Sequence, residues 1–207
     1  MDFIDFHTHL PTAEGVISPR SFGIHPWDAE KEDADSYARF VTKYEHTFRA
    51  AELVGECGLD KACAATWERQ MQLFEWQLRL AEEMGKPVVV HCVRAFNELV
   101  ALRRQYKRLE MAVHGFVGSS EMADQLAREG IVLSFGAAIL DPRRTKVRET
   151  LARLPHPFLL ETDTSDCGIE AVYQTAAEIR TTTTSALADT IKKTYTTFMS
   201  KTEYEKN

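Results

Sequence analysis

The 207-residue chain carries 44 % hydrophobic and 27 % charged residues with a net charge of −6, which excludes disordered, collagenous and disulfide-scaffold classes. A general basic coat for nucleic acid is excluded as well, although a local basic groove is not. No apolar run nears the roughly 20 residues that cross a bilayer, and Met1-Asp2-Phe3-Ile4-Asp5 lacks the positive end of a secretory leader, so a cytoplasmic protein with no membrane partner is expected.

In chain order, short apolar runs alternate with helical periodicity. Strands are expected over residues 3–9 and 21–25. A helical face follows at Tyr37, Phe40, Val41, Tyr44 and Phe48. A strand over 51–57 leads to a face at Trp67, Met71, Phe74, Leu78 and Ala81, closed by Gly85 and Pro87. The strand over 87–92 contains Val88-Val89-Val90, a continuous run suited to burial on both sides. Phe96, Leu99 and Val100 mark the next helix, and a strand is expected over 111–116. Ser119-Ser120 opens a helix through Met122, Leu126 and Ala127, which Gly130 stops. Strand 131–136, a helix through Val147, Leu151 and Leu154 ending at Pro155, and strand 158–162 come next. The Thr181–Thr184 run reads as a loop or helix start before a last helix through Leu187, Ile191, Tyr195 and Phe198. Strand-helix alternation implies parallel strands, and one domain over residues 1–207 is expected. Cysteines 57, 63, 92 and 167 form no Cys-x-x-Cys pair, which argues for buried free thiols rather than a zinc knot.

Five of the seven histidines fall at expected strand ends, and the carboxylates Glu56 and Asp163 do the same. The carboxyl ends of parallel barrel strands are where active sites form. His7 and His9, two apart, project from one strand face and can serve one ion. Adding Glu56, His91, His114 and Asp163 gives six donors, too many for one open tetrahedral zinc. They suit two divalent ions sharing a carboxylate, about 3.5–4 Å apart, with a hydroxide held between them. Asp5 shares parity with His7 and His9, and Glu161 with Asp163. Each can orient a ligand histidine or cap a strand end.

His7-Thr8-His9-Leu10, Gly23-Ile24-His25-Pro26, Gly55-Glu56-Cys57-Gly58-Leu59-Asp60, His114-Gly115-Phe116-Val117-Gly118-Ser119 and Leu160-Glu161-Thr162-Asp163 resemble, in order, the signature blocks of the TatD-type metal-dependent hydrolases. The resemblance implies a TIM-barrel-like α/β fold of the amidohydrolase-like superfamily. It implies His7 and His9 on one ion, Glu56 bridging two, His91 and His114 on the second, and Asp163 on metal and on the nucleophilic water. Asp163 and Glu56 are then the catalytic residues. His25 matches the family's substrate-side histidine. Where the family has a basic residue two after the strand-four histidine, this chain has Val93, with Arg94 one further on as the substrate-binding candidate. The family's proline-rich loop after the Thr-Asp pair is replaced by Thr164-Ser165-Asp166-Cys167-Gly168.

The 10–22 connection is too short for the family's second strand-helix unit, so seven strands and a distorted barrel are expected. The activity implied is that of a metal-dependent phosphodiesterase or DNA exonuclease, acting as a monomer on DNA or a small phosphodiester. Hydrolysis of a small amide, lactone or phosphoester, or metal binding with little catalysis, are the alternatives. Imidazoles favour zinc, manganese, nickel or iron, and the carboxylates leave magnesium open. Arg20, Arg94, Arg143 and Arg144 are the basic candidates for a substrate groove, whereas the clusters Arg103-Arg104-Lys107-Arg108 and Arg143-Arg144-Lys146-Arg148 read as solvated faces.

Overall fold

The computed structural model describes residues 2–200. In chain order the elements are β1 (Phe3–Ile4), β2 (Val16–Ile17), β3 (Ser21–Phe22), α1 (Tyr37–Ala50), β4 (Leu53–Asp60), α2 (Trp67–Met84), β5 (Val88–Val93), α3 (Phe96–Gln105), β6 (Met111–Val113), α4 (Ser120–Arg128), β7 (Ile131–Phe135), α5 (Thr145–Arg153), β8 (Phe158–Leu160), α6 (Ile169–Ile179) and α7 (Thr184–Ser200). Residues 2–19 and 113–200 form one unit, and residues 20–112 a second.

In the first unit β1 pairs in parallel with β2, Phe3 opposite Val16. Past β1 the chain runs along the end of β8. Phe6 N–H donates to Leu160 O at 3.0 Å, Asp163 N–H to His7 O at 2.9 Å, and His9 N–H to Asp163 O at 2.9 Å. On its other side β8 pairs in parallel with β7. Tyr173 of α6 is fully buried and its hydroxyl pins β1, donating to Ile4 O and accepting from Ile4 N–H. Of the α7 face expected at Leu187, Ile191, Tyr195 and Phe198, all but the half-buried Tyr195 are buried, and Phe198 meets Phe6 edge-on at 5.5 Å. A fully buried phenylalanine of this kind stabilises by about 1.5–3 kcal/mol.

In the second unit β3, β4 and β5 pair in parallel, and β6 follows β5 in the sheet. The aromatic stripe of α1 buries Phe40 and Phe48, with Phe22 of β3 packed on Phe48 at 4.9 Å. Ser36 caps α1 by accepting from Arg39 N–H. Gly85, at φ 62°, closes α2. Gln77 of α2 is buried and clamps the loop after β3, accepting from Ile24 N–H at 2.6 Å and donating to Ile24 O at 3.1 Å.

The parallel α/β fold agrees with the sequence expectation, with three differences. Among the described residues there are eight strands, not seven. The extra one, Val16–Ile17, lies in the 10–22 connection, where a turn with Val16 N–H on Ala13 O returns the chain to β1. No helix accompanies it, as expected of so short a segment. Helix α6 is not expected from the sequence, because two of the five residues on its buried face, Ile169, Val172, Tyr173, Ala176 and Ala177, are alanine. Finally, β3, β6 and β8 stop before His25, His114 and Asp163, so those side chains stand on the segments just past the strands.

Candidate active site

In the first unit the alternation of residues 5, 7 and 9 survives past the end of β1, because 6–9 pair with 160–163. The His7 and His9 rings lie 4.8 Å apart. Asp163 Oδ1 stands 3.6 Å from His9 Nε2 and 4.0 Å from His7 Nε2. His7 is buried and His9 half exposed. The His114 ring is 4.8 Å from that of His7, and its Nδ1 is 3.4 Å from Glu161 Oε1. Glu161 is wholly buried and accepts from Gly115 N–H at 2.6 Å. Burial alone would raise its carboxyl, but the bond and charge of His114, with His7 behind, hold it below the usual range.

The structure separates the two carboxylates left open by the sequence. Glu161 faces a histidine. Asp5 instead clamps the β8 end, accepting Thr162 N–H at 2.9 Å and its hydroxyl at 2.6 Å. Burial outweighs those bonds and pushes the Asp5 carboxyl up.

A cavity of about 470 Å³ opens beside this group, lined by Asp163, Glu161, Thr162, Thr164, Ser165 and Arg144 among others. Arg143 is held by Asp141 through contacts of 2.9 and 3.0 Å. Of the two neighbouring arginines only Arg144 is in the lining.

In the second unit the site is built by a defect in strand pairing. Val54 sits opposite Val88 but Cys57 opposite Val90, so β4 carries one extra residue at Gly55–Glu56, a bulge that re-aims the Glu56 side chain. The glycines on either side are required. A Cβ on Gly55 would lie 2.2 Å from Val89 O, and one on Gly58 2.0 Å from His91 O. Glu56 Oε1 thereby receives two imidazoles, His91 Nδ1 at 2.8 Å and His25 Nε2 at 3.1 Å. His91 Nε2 is 3.4 Å from Asp60 Oδ2. Burial would raise the Asp60 carboxyl, but Trp27, Ala62 N–H and His91 hold it below its ordinary value. Buried Gln70 fixes this strand end, accepting from Asp60 N–H at 2.8 Å and donating to Asp60 O at 3.1 Å.

The expected donors therefore divide between the units, His7, His9, His114 and Asp163 in the first and Glu56 and His91 in the second. His25, expected on the substrate side, shares the Glu56 oxygen with His91. Arg94 is exposed, with left-handed backbone at φ 56°. Asp60 and Gln70 were not singled out from the sequence. Asp60 had a signal, since it shares strand parity with Glu56 past the bulge.

Both groups have the chemistry of a divalent-metal site. Four ligand atoms around a tetrahedral zinc lie about 3.4 Å apart, given bonds of about 2.1 Å. The nitrogen–oxygen separations of 2.8–3.1 Å in the Glu56 group and 3.6–4.0 Å in the Asp163 group bracket that spacing. Borderline nitrogen donors beside carboxylates suit zinc and its first-row neighbours.

A family model described as TatD related DNase matches residues 5–200. The chain belongs to that family. Among TatD-family relatives, the 3′-5′ ssDNA/RNA exonuclease TatD of Edwardsiella piscicida is 38 % identical over 160 residues, 75 % of this chain and 61 % of the relative. The uncharacterized metal-dependent hydrolase YjjV of Escherichia coli K12 is 34 % identical over 149 residues, 70 % of this chain and 58 % of its own. The chain thus spans about three fifths of these curated TatD relatives. The crystal structure of YjjV superposes with a TM-score of 0.76 at 27 % identity, covering 90 % of this chain and 77 % of that one. A TatD-family hydrolase from Entamoeba histolytica shares the fold at 0.72 and 15 % identity, covering 88 % and 74 %. The parallel α/β fold is that of the TatD and amidohydrolase TIM-barrel structures.

Proposed function

We propose that the chain is a divalent-metal-dependent phosphodiesterase, a 3′–5′ exonuclease on single-stranded nucleic acid, and that its two units work as one hydrolase domain. The observation that carries this reading is the cavity of the first unit. Asp163, set against His7 and His9, shares its lining with Arg144 and the hydroxyl residues Thr162, Thr164 and Ser165. A phosphodiester asks for that combination: a cation on its oxygens, donors that orient it, and a carboxylate beside the attacking water. The exonuclease relative at 38 % identity supports the substrate class.

The proposed metal ligands are His7, His9, His114 and Asp163 with Glu56 and His91. His25 and Arg94 are proposed to face the substrate. Divalent ions held by these groups, two in number and zinc, manganese, nickel, iron or magnesium in kind, supply Lewis acidity toward phosphate and water. Asp163 accepts the proton of the attacking water at its carboxylate. Glu161 fixes the His114 ring through Nδ1, and Glu56 fixes His25 and His91 against one oxygen. Arg144 meets the phosphate in the cavity, while Arg143 stays with Asp141.

The test combines elemental analysis with a substrate panel of a single-stranded dT oligonucleotide, bis-p-nitrophenyl phosphate and small lactones. Divalent-dependent cleavage of the first two is expected. Asp163→Ala lowers turnover by about 10²–10⁴-fold and retains most of the metal, whereas Glu56→Ala loses metal and turnover together. Full activity of Asp163→Ala at full metal content overturns the mechanism, and cleavage of lactones alone replaces the phosphodiester reading.

A further inference from the structure

Trp27 is the most exposed large apolar side chain among the described residues, at 61 %. It stands in the first turn of a 3-10 helix, Pro26–Lys31. An indole left in water forfeits the gain from burial and is ordinarily free to turn. This one is fixed. Its Nε1–H donates to Asp60 Oδ2 at 2.7 Å, and its backbone N–H donates to His25 Nδ1 at 3.2 Å. Its ring meets His25 edge-on at 4.7 Å and lies 6.0 Å from His91. Asp60 is in turn anchored by Gln70. The chain thus holds a flat, rigid, solvent-facing π surface next to the His25–Glu56–His91 group.

We infer that Trp27 is a stacking platform for one base of a single-stranded nucleic acid, an inference that rests on the exonuclease reading above. A base laid on the indole keeps its own phosphate close to the adjacent imidazoles. Stacking on an aromatic side chain accepts any base, because every base has a π face. It therefore adds affinity without sequence preference, as an end-trimming nuclease needs. The hydrogen bond to Asp60 supplies preorganisation, since the ring does not have to be ordered when the base arrives.

The test compares Trp27→Phe with Trp27→Leu. Both lose the N–H bond to Asp60 and both keep apolar bulk, so their difference isolates the aromatic face. Binding of a phosphorothioate dT oligonucleotide is read by fluorescence anisotropy, and kcat and KM are measured on the dT oligonucleotide and on bis-p-nitrophenyl phosphate. Trp27→Leu should raise Kd and KM for the oligonucleotide roughly ten- to hundredfold, far more than it changes kcat/KM on the small diester. Trp27→Phe should stay within about threefold of the parent.

Equal binding by the two variants overturns the platform, whether both keep affinity or both lose it through Asp60. Cleavage of the oligonucleotide by the parent protein would then leave the exonuclease reading standing. A parent protein that neither binds nor cleaves the oligonucleotide overturns both.

Discussion

The two donor groups reach similar spacings by opposite means. In the first unit, main-chain pairing sets the geometry: residues 6–9 hydrogen bond to 160–163, and the side chains follow strand alternation. In the second unit, side chains set it, with a bulge that turns Glu56 and with Gln70 and Gln77 holding the segments around it. The first kind of support is insensitive to most single substitutions, because backbone bonds do not depend on residue type. The second concentrates the geometry in a few amides and glycines. Behind the first group stands a buried carboxylate on a histidine, Glu161 on His114. In the second a carboxylate is itself the hub.

The largest effect should come from Glu161→Ala, which removes the wholly buried carboxylate that faces His114. Gly115 N–H loses its acceptor, and His114 its carboxylate neighbour, in a wholly buried place. A loss of about 3–5 kcal/mol in urea unfolding is expected, with Zn²⁺ affinity down about 10–100-fold by titration. Glu161→Gln, which still offers an oxygen to Gly115, should lose less. An unchanged Zn²⁺ affinity in Glu161→Ala would show that main-chain pairing alone builds this group.

Gln70→Ala probes the second unit. It strands Asp60 N–H and the Ala65 carbonyl and leaves the Asp60 carbonyl with only the long bond from Cys63 N–H, and should cost about 2–3 kcal/mol. A cost below about 0.5 kcal/mol would mean that the bulged strand holds its shape without the amide.

The smallest effect concerns acid. Glu32 in the second unit accepts from Ala34 N–H, Lys43 and the Tyr44 hydroxyl. Burial opposes ionisation, yet these bonds hold its carboxyl below the ordinary range. Its folded-state pKa is lowered, so its contribution is complete above about pH 4.3, the unfolded value, and is lost as pH falls through the folded value. Lys43 is 42 % exposed, and solvent screening of that pair keeps the effect to about 1 kcal/mol. Glu32→Gln should flatten the acid limb of a stability–pH curve, and an unchanged limb would remove Glu32 from the balance.

The same contrast explains what the sequence could and could not disclose. The placement of His7 beside His9 follows from a period of two, and the faces of α1, α2 and α7 from a period of 3.6. Glu56 is legible as a strand residue, but its orientation depends on an inserted residue that no alternation pattern reveals. His25 was placed with the substrate by resemblance, and its meeting with Glu56 depends on the loop that Gln77 clamps. Strand β2 is two residues long and leaves no period to detect. The distinction between Asp5 and Glu161 lies in which partner each carboxylate finds, Thr162 at 157 residues from Asp5 and His114 much nearer in the chain to Glu161.

That separation has a temporal side. Among the described residues the second unit is one continuous stretch, 20–112, and its donors emerge from the ribosome within that stretch. The first is split, and Thr8 precedes its bridging partner Asp163 by 155 residues. At about 5–20 residues per second, His7 and His9 wait roughly 8–30 s for Asp163 to be synthesised. By the time Asp163 is made, residues 20–112 around the Glu56 group have all been synthesised. Residues 6–9 can therefore take up their pairing with 160–163 only after the whole 20–112 stretch has been synthesised.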